Sequence, residues 1–171
     1  MPARGCRRAQ PDAARRSRRC RHTDALDIPG ERHMDDGLVT TRSSFSVADT
    51  AARLSEAAQA AGLLVFDDID HAGNATAVGQ SLRPTRLLLI GHPRGGTPLM
   101  AERQTAGIDL PLKVLVWQDE TKAVWLTYDD AHWIARRHGL GRASAASVVA
   151  IAAGMATLAS IATGTTSDPV T

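Results

Sequence analysis

The stretch that decides the fold runs from residue 83 to residue 100 and reads Arg-Pro-Thr-Arg-Leu-Leu-Leu-Ile-Gly-His-Pro-Arg-Gly-Gly-Thr-Pro-Leu-Met. Residues 87–90 form an uninterrupted apolar run between Pro84 and Gly91. A short run of this kind is typical of a strand that is buried on both faces. The pattern therefore predicts a strand from Thr85 to Gly91 in the middle of a sheet.

The second half of this stretch predicts a glycine loop followed by a helix. Residues 92–96 read as irregular backbone, and Thr97 precedes Pro98. Threonine is a favoured N-cap residue, and proline is favoured at the first helical position. We therefore expect a helix that begins at Pro98, continues to about residue 105 and ends near Gly107.

The residues before the stretch predict two strands and two helices. A short strand at 38–42 precedes Ser46 and Asp49, whose spacing is that of a capping box. Apolar residues then recur at helical spacing as far as Gly62, which indicates a helix. A strand from 63 to about 71 and a short helix over 72–80 follow.

The residues after the stretch predict a hairpin and another helix. Residues 112–117 and 123–128 are apolar segments separated by a polar turn, as in a β-hairpin. Asp129 or Asp130 caps a helix that Gly139 ends. Together the segments predict one α+β domain over residues 35–140. It has two layers, a mixed sheet of about five strands with helices packed on it, and an additional C-terminal helix.

The first 34 residues differ from the rest in charge. Nine arginines and four carboxylates give residues 1–33 a net charge of +5, which leaves −3 for the rest of a chain whose total is +2. Three interpretations remain open: a disordered tail or misassigned start with Met34 as the true beginning, a basic arm for phosphate or anionic lipid, and a transit peptide. Nucleic-acid binding is expected, if anywhere, only through this segment.

The positions of the cysteines and the sequence of the N-terminal segment indicate the cellular compartment of the protein. Both cysteines, Cys6 and Cys20, lie in the arginine-rich segment, so the predicted domain contains neither a disulfide nor a cysteine nucleophile. The segment has no apolar stretch of the length that a signal peptide needs. We therefore expect a cytoplasmic protein.

Residues 141–171 form an alanine-rich helix and a polar tail. Positions 143–163 carry no charge, and their larger apolar residues fall on one helical stripe, namely Val148, Ile151, Met155, Leu158 and Ala162. This favours packing against the domain or a dimer partner. A membrane anchor is the alternative.

The loop before Thr97 is predicted to bind a small anion. Unpaired backbone N–H groups at a helix start carry the positive end of the helix dipole, and Gly95 and Gly96 would let a ligand approach the backbone. Arg94 and His92 would add charge and hydrogen bonds. The P-loop lysine is missing, which excludes nucleotide hydrolysis. The alternative is a tight connection with no ligand. The complete predicted set, with two flanking residues, is His71, Arg83, His92, Arg94, Gly95, Gly96 and Thr97.

The motifs resemble the domain-of-unknown-function family 302. The resemblance rests on residues 83–85, 91–100 and 110–117, and on shorter segments at 69–72, 125–128 and 138–140. It covers about residues 37–140. It implies a small α+β domain that is homodimeric and has no established biochemical activity.

The leading prediction is thus a cytoplasmic, homodimeric ligand-binding or regulatory module. One alternative is an enzyme of unknown reaction that uses His71 and a nearby aspartate. Another is a structural protein that dimerises through the hairpin. The pattern predicts no metal site and no cofactor. Convergence of His71 and His92 on an ion would need parallel neighbouring strands.

Overall fold

A computed structural model of the chain describes residues 37–165. The predictions for the arginine-rich segment, for its two cysteines and for Met34 as the true start lie outside the described residues. The same holds for the tail after residue 165.

The described residues alternate strands and helices. In chain order the elements are β1 (Leu38–Ser43), α1 (Val47–Ala60), β2 (Leu64–Asp70), α2 (His71–Ala77), β3 (Thr85–Gly91), α3 (Pro93–Glu102), a 3₁₀ helix (Gln104–Asp109), β4 (Leu112–Gln118), β5 (Val124–Asp129), α4 (Ala131–His138) and α5 (Ala145–Thr163). The predicted α+β class with a five-stranded sheet is confirmed.

The sheet has the order β1-β5-β4-β3-β2, and every neighbouring pair is antiparallel. The expectation of a mixed sheet was wrong in this respect. The predicted β4–β5 hairpin is confirmed. Strand β3 lies inside the sheet between β4 and β2, as its apolar sequence indicated, but the middle strand is β4.

One face of the sheet, the inner face, is covered by helices. It presents the buried side chains of Leu88, Ile90, Val114, Val116 and Leu126. Helices α1, α4 and α5 contribute residues to the same core. Helix α1 begins as predicted, because the Ser46 Oγ accepts a hydrogen bond from the Asp49 amide at 3.1 Å.

Helix α5 packs against this domain. Its buried residues are Val148, Met155, Leu158, Ala159, Ala162 and Thr163, which include four of the five residues of the predicted stripe, and the fifth, Ile151, is half-buried against the core. The Arg53 guanidinium of α1 donates to the carbonyls of Ile161 and Ala162 near the C-terminal end of α5. In the described part of the chain, α5 alone is long and apolar enough to cross a membrane, and 28% of its most apolar window is buried. Length and composition alone are weak evidence for a membrane span, because core helices of soluble proteins meet the same criterion.

The other face of the sheet, the outer face, carries an apolar patch at its centre, with Arg42, Asp67 and Lys113 among the charged residues on the same face. Its half-buried residues include Leu87, Leu89, Leu115, Trp117 and Trp125, and none of them belongs to the hydrophobic clusters of the described residues. The two indole rings stack with centroids 6.4 Å apart. The sheet thus has one face buried by its own helices and one face with an apolar patch outside that core. The expectation that β3 is buried on both faces was therefore wrong for the single chain, because helices cover only one side of the sheet.

Candidate functional site

The start of α3 differs from the sequence prediction. The helix begins at Pro93 instead of Pro98, and His92 is the N-cap residue. The His92 Nδ1 accepts a hydrogen bond from the amide of Arg94 at 3.0 Å. Thr97, the predicted N-cap, therefore lies within the helix, and Pro98 occupies an interior position at which it cannot donate a backbone hydrogen bond.

The early start changes what the backbone can offer to an anion. Pro93 has no N–H group, and the Arg94 amide is paired with the His92 ring. The amides of Gly95 and Gly96 both donate to the His92 carbonyl, at 2.9 and 3.2 Å. Since the first-turn donors have partners inside the protein, an anion here depends on side chains and not on the helix N-terminus.

A cavity of about 670 Å³ lies against this segment. Residues 90–96 at the end of β3 and the start of α3 form one wall, and residues 110–112 before and within β4 form another. Helix α5 closes a third side with Ala146, Ser147, Ala150, Ile151 and Gly154. Cavities that hold small molecules in proteins typically measure 300–1,000 Å³. The cavity therefore has the size of a ligand site.

Small residues keep the cavity open. Ala146, Ala150 and Gly154 recur every four residues, so they lie on one stripe of α5. A Cβ atom added at Gly154 would meet nothing within 4 Å. A Cβ at Gly96 would lie 3.3 Å from Leu110, so this glycine allows close packing of α3, whereas a Cβ at Gly95 would meet Ile151 only at an ordinary contact distance of 3.8 Å.

Strand β2 contributes to the same cavity through a bulge. The pairing of β2 with β3 shifts register between Val65 and Asp67, which leaves Phe66 as the extra residue. Bulges redirect a side chain relative to the sheet. Phe66 is 54% exposed and lines the cavity.

Few polar side chains line the cavity. They are His92, Arg94 and Ser147, and the lining contains no aspartate or glutamate. Arg94 is exposed, and its guanidinium has no hydrogen bond or ion pair within residues 37–165. The site thus combines apolar walls with one unneutralised positive charge.

A carboxylate holds the start of α5 against α3. Glu102 accepts hydrogen bonds from the Gly141 amide at 2.9 Å, from the Ser144 amide at 3.0 Å and from the Ser144 hydroxyl at 2.6 Å. The Ser144 hydroxyl in particular lowers the pKa of Glu102 below its usual value. These contacts link the two helices that border the cavity.

Two predicted site residues lie at the other end of the sheet. His71 follows Asp70, which pairs with Arg86 near the start of β3, whereas His92 follows Gly91 at the end of β3. Because β2 and β3 are antiparallel, roughly 20 Å separates these ends. Neither His71 nor Arg83 lines the cavity, while Arg94, Gly95 and Gly96 join His92 there.

The carboxylates near His71 already have partners. The Asp68 carboxylate forms two hydrogen bonds with the Arg86 guanidinium, at 3.0 and 2.7 Å, and Asp70 accepts from the Gly73 amide. Catalysis by His71 with a nearby aspartate stays a prediction. Within residues 37–165, no group of three His, Cys, Asp or Glu side chains could hold a metal ion.

Sequence reasoning missed one cluster of ionisable groups. Asp109 is 5% exposed, and its carboxylate contacts the His138 Nε2 at 2.7 Å and the Arg137 guanidinium at 3.2 Å. The other His138 ring nitrogen is 3.2 Å from the Thr105 hydroxyl. The cluster joins the 3₁₀ helix to α4. The sequence offered no signal for this cluster, because the burial of Asp109 is visible only in the structure and its partners lie 28 and 29 residues away.

Two comparisons concern the fold. A family model described as "Domain of unknown function DUF302" matches residues 39–158. The crystal structure of an uncharacterized conserved protein DUF302 from Bacillus stearothermophilus is similar to this chain with a TM-score of 0.66 at 17% identity. The similarity covers 74% of this chain and 98% of that one. At this identity the structural likeness speaks for the fold alone.

Curated relatives are more similar in sequence. A protein of Brucella suis named "Fluoride-specific ion channel FluC 1" is 41% identical over 131 residues, which are 77% of this chain and 52% of that protein. "Fluoride-specific ion channel FluC 2" of Brucella melitensis is also 41% identical over 131 residues, or 48% of its length. The chain thus spans about half the length of the curated relatives it matches.

Proposed function

Because the chain belongs to the DUF302 family, whose biochemical activity is unknown, we propose from the geometry of its cavity that it is a module that binds a small molecule. The observation that carries this proposal is the cavity of about 670 Å³ against the β3–α3 junction. Apolar walls favour an apolar ligand body because its burial removes apolar surface from water. A ligand there would contact α3 and α5 together, which suits a regulatory module.

Filling the cavity tests this function. The neutral dye Nile red fluoresces strongly in apolar sites, and we expect the full chain to bind it. Ala150→Leu should weaken dye binding about tenfold, because the larger side chain occupies the space that the dye would fill.

Ala153→Leu is the matched control, because Ala153 is an exposed alanine of the same helix that does not line the cavity. This variant should bind the dye as the wild type does. Equal dye affinity in both variants would argue against the cavity as the binding site.

The same proposal includes a homodimer in the cytoplasm. The outer face of the sheet carries an apolar patch, and aromatic residues such as Trp117 and Trp125 are enriched at protein interfaces. A second copy supplies an identical apolar face, as a twofold interface requires. The described residues contain no cysteine, so the domain needs no oxidising compartment for disulfides.

A second role, as the regulatory part of a membrane channel, is favoured by the curated relatives. They are named as fluoride-specific ion channels, and the matching 131 residues are about half of each. Helix α5 offers a contact surface for such a partner, because Val149 and Ile161 are 59% and 48% exposed on an uncharged helix. Ligand occupancy of the cavity beside α5 would then alter the channel.

Truncation of the Brucella suis relative tests this second role. Fluoride efflux from vesicles would be measured with a fluoride electrode, for the whole relative and for a form without the 131 matching residues. We expect the truncated form to conduct at a rate changed about fivefold, as typical allosteric coupling allows. Identical rates, or complete loss of conduction, would contradict a regulatory role.

A further inference from the structure

The edge of the cavity carries two side chains that suit an anion. The His92 Nδ1 accepts the Arg94 amide, so the neutral ring carries its proton on Nε2. Neither Nε2 nor the Arg94 guanidinium has a hydrogen-bond partner within residues 37–165. One permanent cation and one N–H donor therefore border an apolar space.

Building on the ligand-binding function proposed above, we propose that the cavity takes an anionic amphiphile: an apolar body with one carboxylate or phosphate head group. The head group pairs with Arg94 and accepts a hydrogen bond from the His92 Nε2. Guanidinium groups bind both oxyanions through two parallel hydrogen bonds. The apolar body lies between α3 and α5.

The charge balance of the lining favours an anion over other ligands. The lining residues include Arg94 and no carboxylate, so a cation would meet repulsion and no partner. A neutral apolar molecule would leave the Arg94 charge unpaired beside its own apolar surface. A small inorganic anion would leave the apolar walls unfilled. An amphiphile satisfies both parts of the site.

The affinity of the ligand should depend on both its head group and the length of its alkyl chain. Each methylene that enters the cavity contributes about 0.8 kcal/mol, which is about a fourfold gain in affinity. Across hexanoate, octanoate and decanoate, affinity should therefore rise steeply until the cavity is full. Removal of the head-group charge should lower affinity about tenfold.

Calorimetric titration of the full chain with decanoate, decyl phosphate and decanol, each below its micelle concentration, tests the inference. We expect both anions to bind about tenfold more tightly than decanol. A preference between the two anions identifies the head group. Arg94→Ala should weaken decanoate binding about tenfold and leave decanol binding unchanged. Arg103→Ala, an exposed arginine of the same region that does not line the cavity, should change neither.

The outcomes separate this inference from the proposed function. If decanol binds as tightly as decanoate, or if Arg94→Ala leaves decanoate binding intact, the anionic head group is wrong while the cavity remains a binding site. If none of the three compounds binds but Nile red does, the inference of an anionic amphiphile fails, while the proposed binding function stands. If neither the compounds nor Nile red bind, the proposed function fails as well.

Discussion

Truncation of Leu88 to alanine should destabilise the protein more than any surface change. Leu88 is fully buried in β3, between the sheet and its helices. Loss of its side chain leaves a cavity in a closely packed core, and such changes typically cost 2–5 kcal/mol. We expect a loss of about 3 kcal/mol and a melting temperature roughly 10 °C lower. Urea unfolding followed by tryptophan fluorescence measures the free energy.

Leu87→Ala is the matched control for this prediction. Leu87 is the neighbouring leucine of the same strand, but its side chain lies on the outer face and is only half-buried. In the monomer its truncation should cost under about 1 kcal/mol. Both variants must be compared at one protein concentration, because dissociation of a dimer would add to the cost. Equal losses in a monomeric sample would contradict the assignment of the two faces.

A lysine at Leu115 should abolish the proposed dimer. Leu115 lies on the outer face in the middle strand, opposite Leu87 of β3 and Thr127 of β5. A lysine there would bury an unpaired charge when two outer faces meet, and this costs several kcal/mol. We expect a dimer for the wild type and a dissociation constant raised more than about hundredfold for Leu115→Lys. Native mass spectrometry of the full chain measures both states.

The control adds the same charge to the helical layer. Val149 is 59% exposed on α5, and Val149→Lys should leave the dimer intact if the outer sheet face is the interface. If Val149→Lys dissociates the dimer and Leu115→Lys does not, the dimer interface lies on α5 and not on the outer face. Retention of the dimer by Leu115→Lys, or a monomeric wild type, would contradict the proposal. Mass spectrometry of gently purified wild type also reports any ligand retained from the cell.

The tryptophans illustrate how much the sequence says about the outer face. Both alternating sets of residues in β4 are largely apolar, so the sequence alone does not say which set faces the core, and the structure places the tryptophans on the opposite side of the sheet from it. Their indole N–H groups find partners within the hairpin, Trp117 with the Thr127 hydroxyl and Trp125 with the Asp119 carboxylate. Those partners depend on the strand register. The rings are left as half-buried apolar surface on the outer face.

The helix start in the deciding stretch shows where local reasoning fails. Pro93 follows His92 and Pro98 follows Thr97, and the side chain of either preceding residue can accept a hydrogen bond at a helix start. Threonine is the commoner N-cap of the two. The structure uses His92, since a helix from Pro93 brings Gly95 and Gly96 close to α5 and to Leu110. That advantage arises from residues distant in sequence, so the sequence pattern around the loop could not reveal it.

By itself the sequence determined which segments form strands and helices, and which face of helices α1 and α5 is buried. Those properties follow from the spacing of apolar residues and from caps such as Ser46 and Asp130, which act within a few residues. The tertiary structure alone decided the antiparallel order of the sheet, the separation of His71 from His92 and the cavity between α3 and α5. Each of these depends on pairing between segments that are far apart in the chain. Such pairing is set by the packing of the whole core and leaves no periodic signal in the sequence.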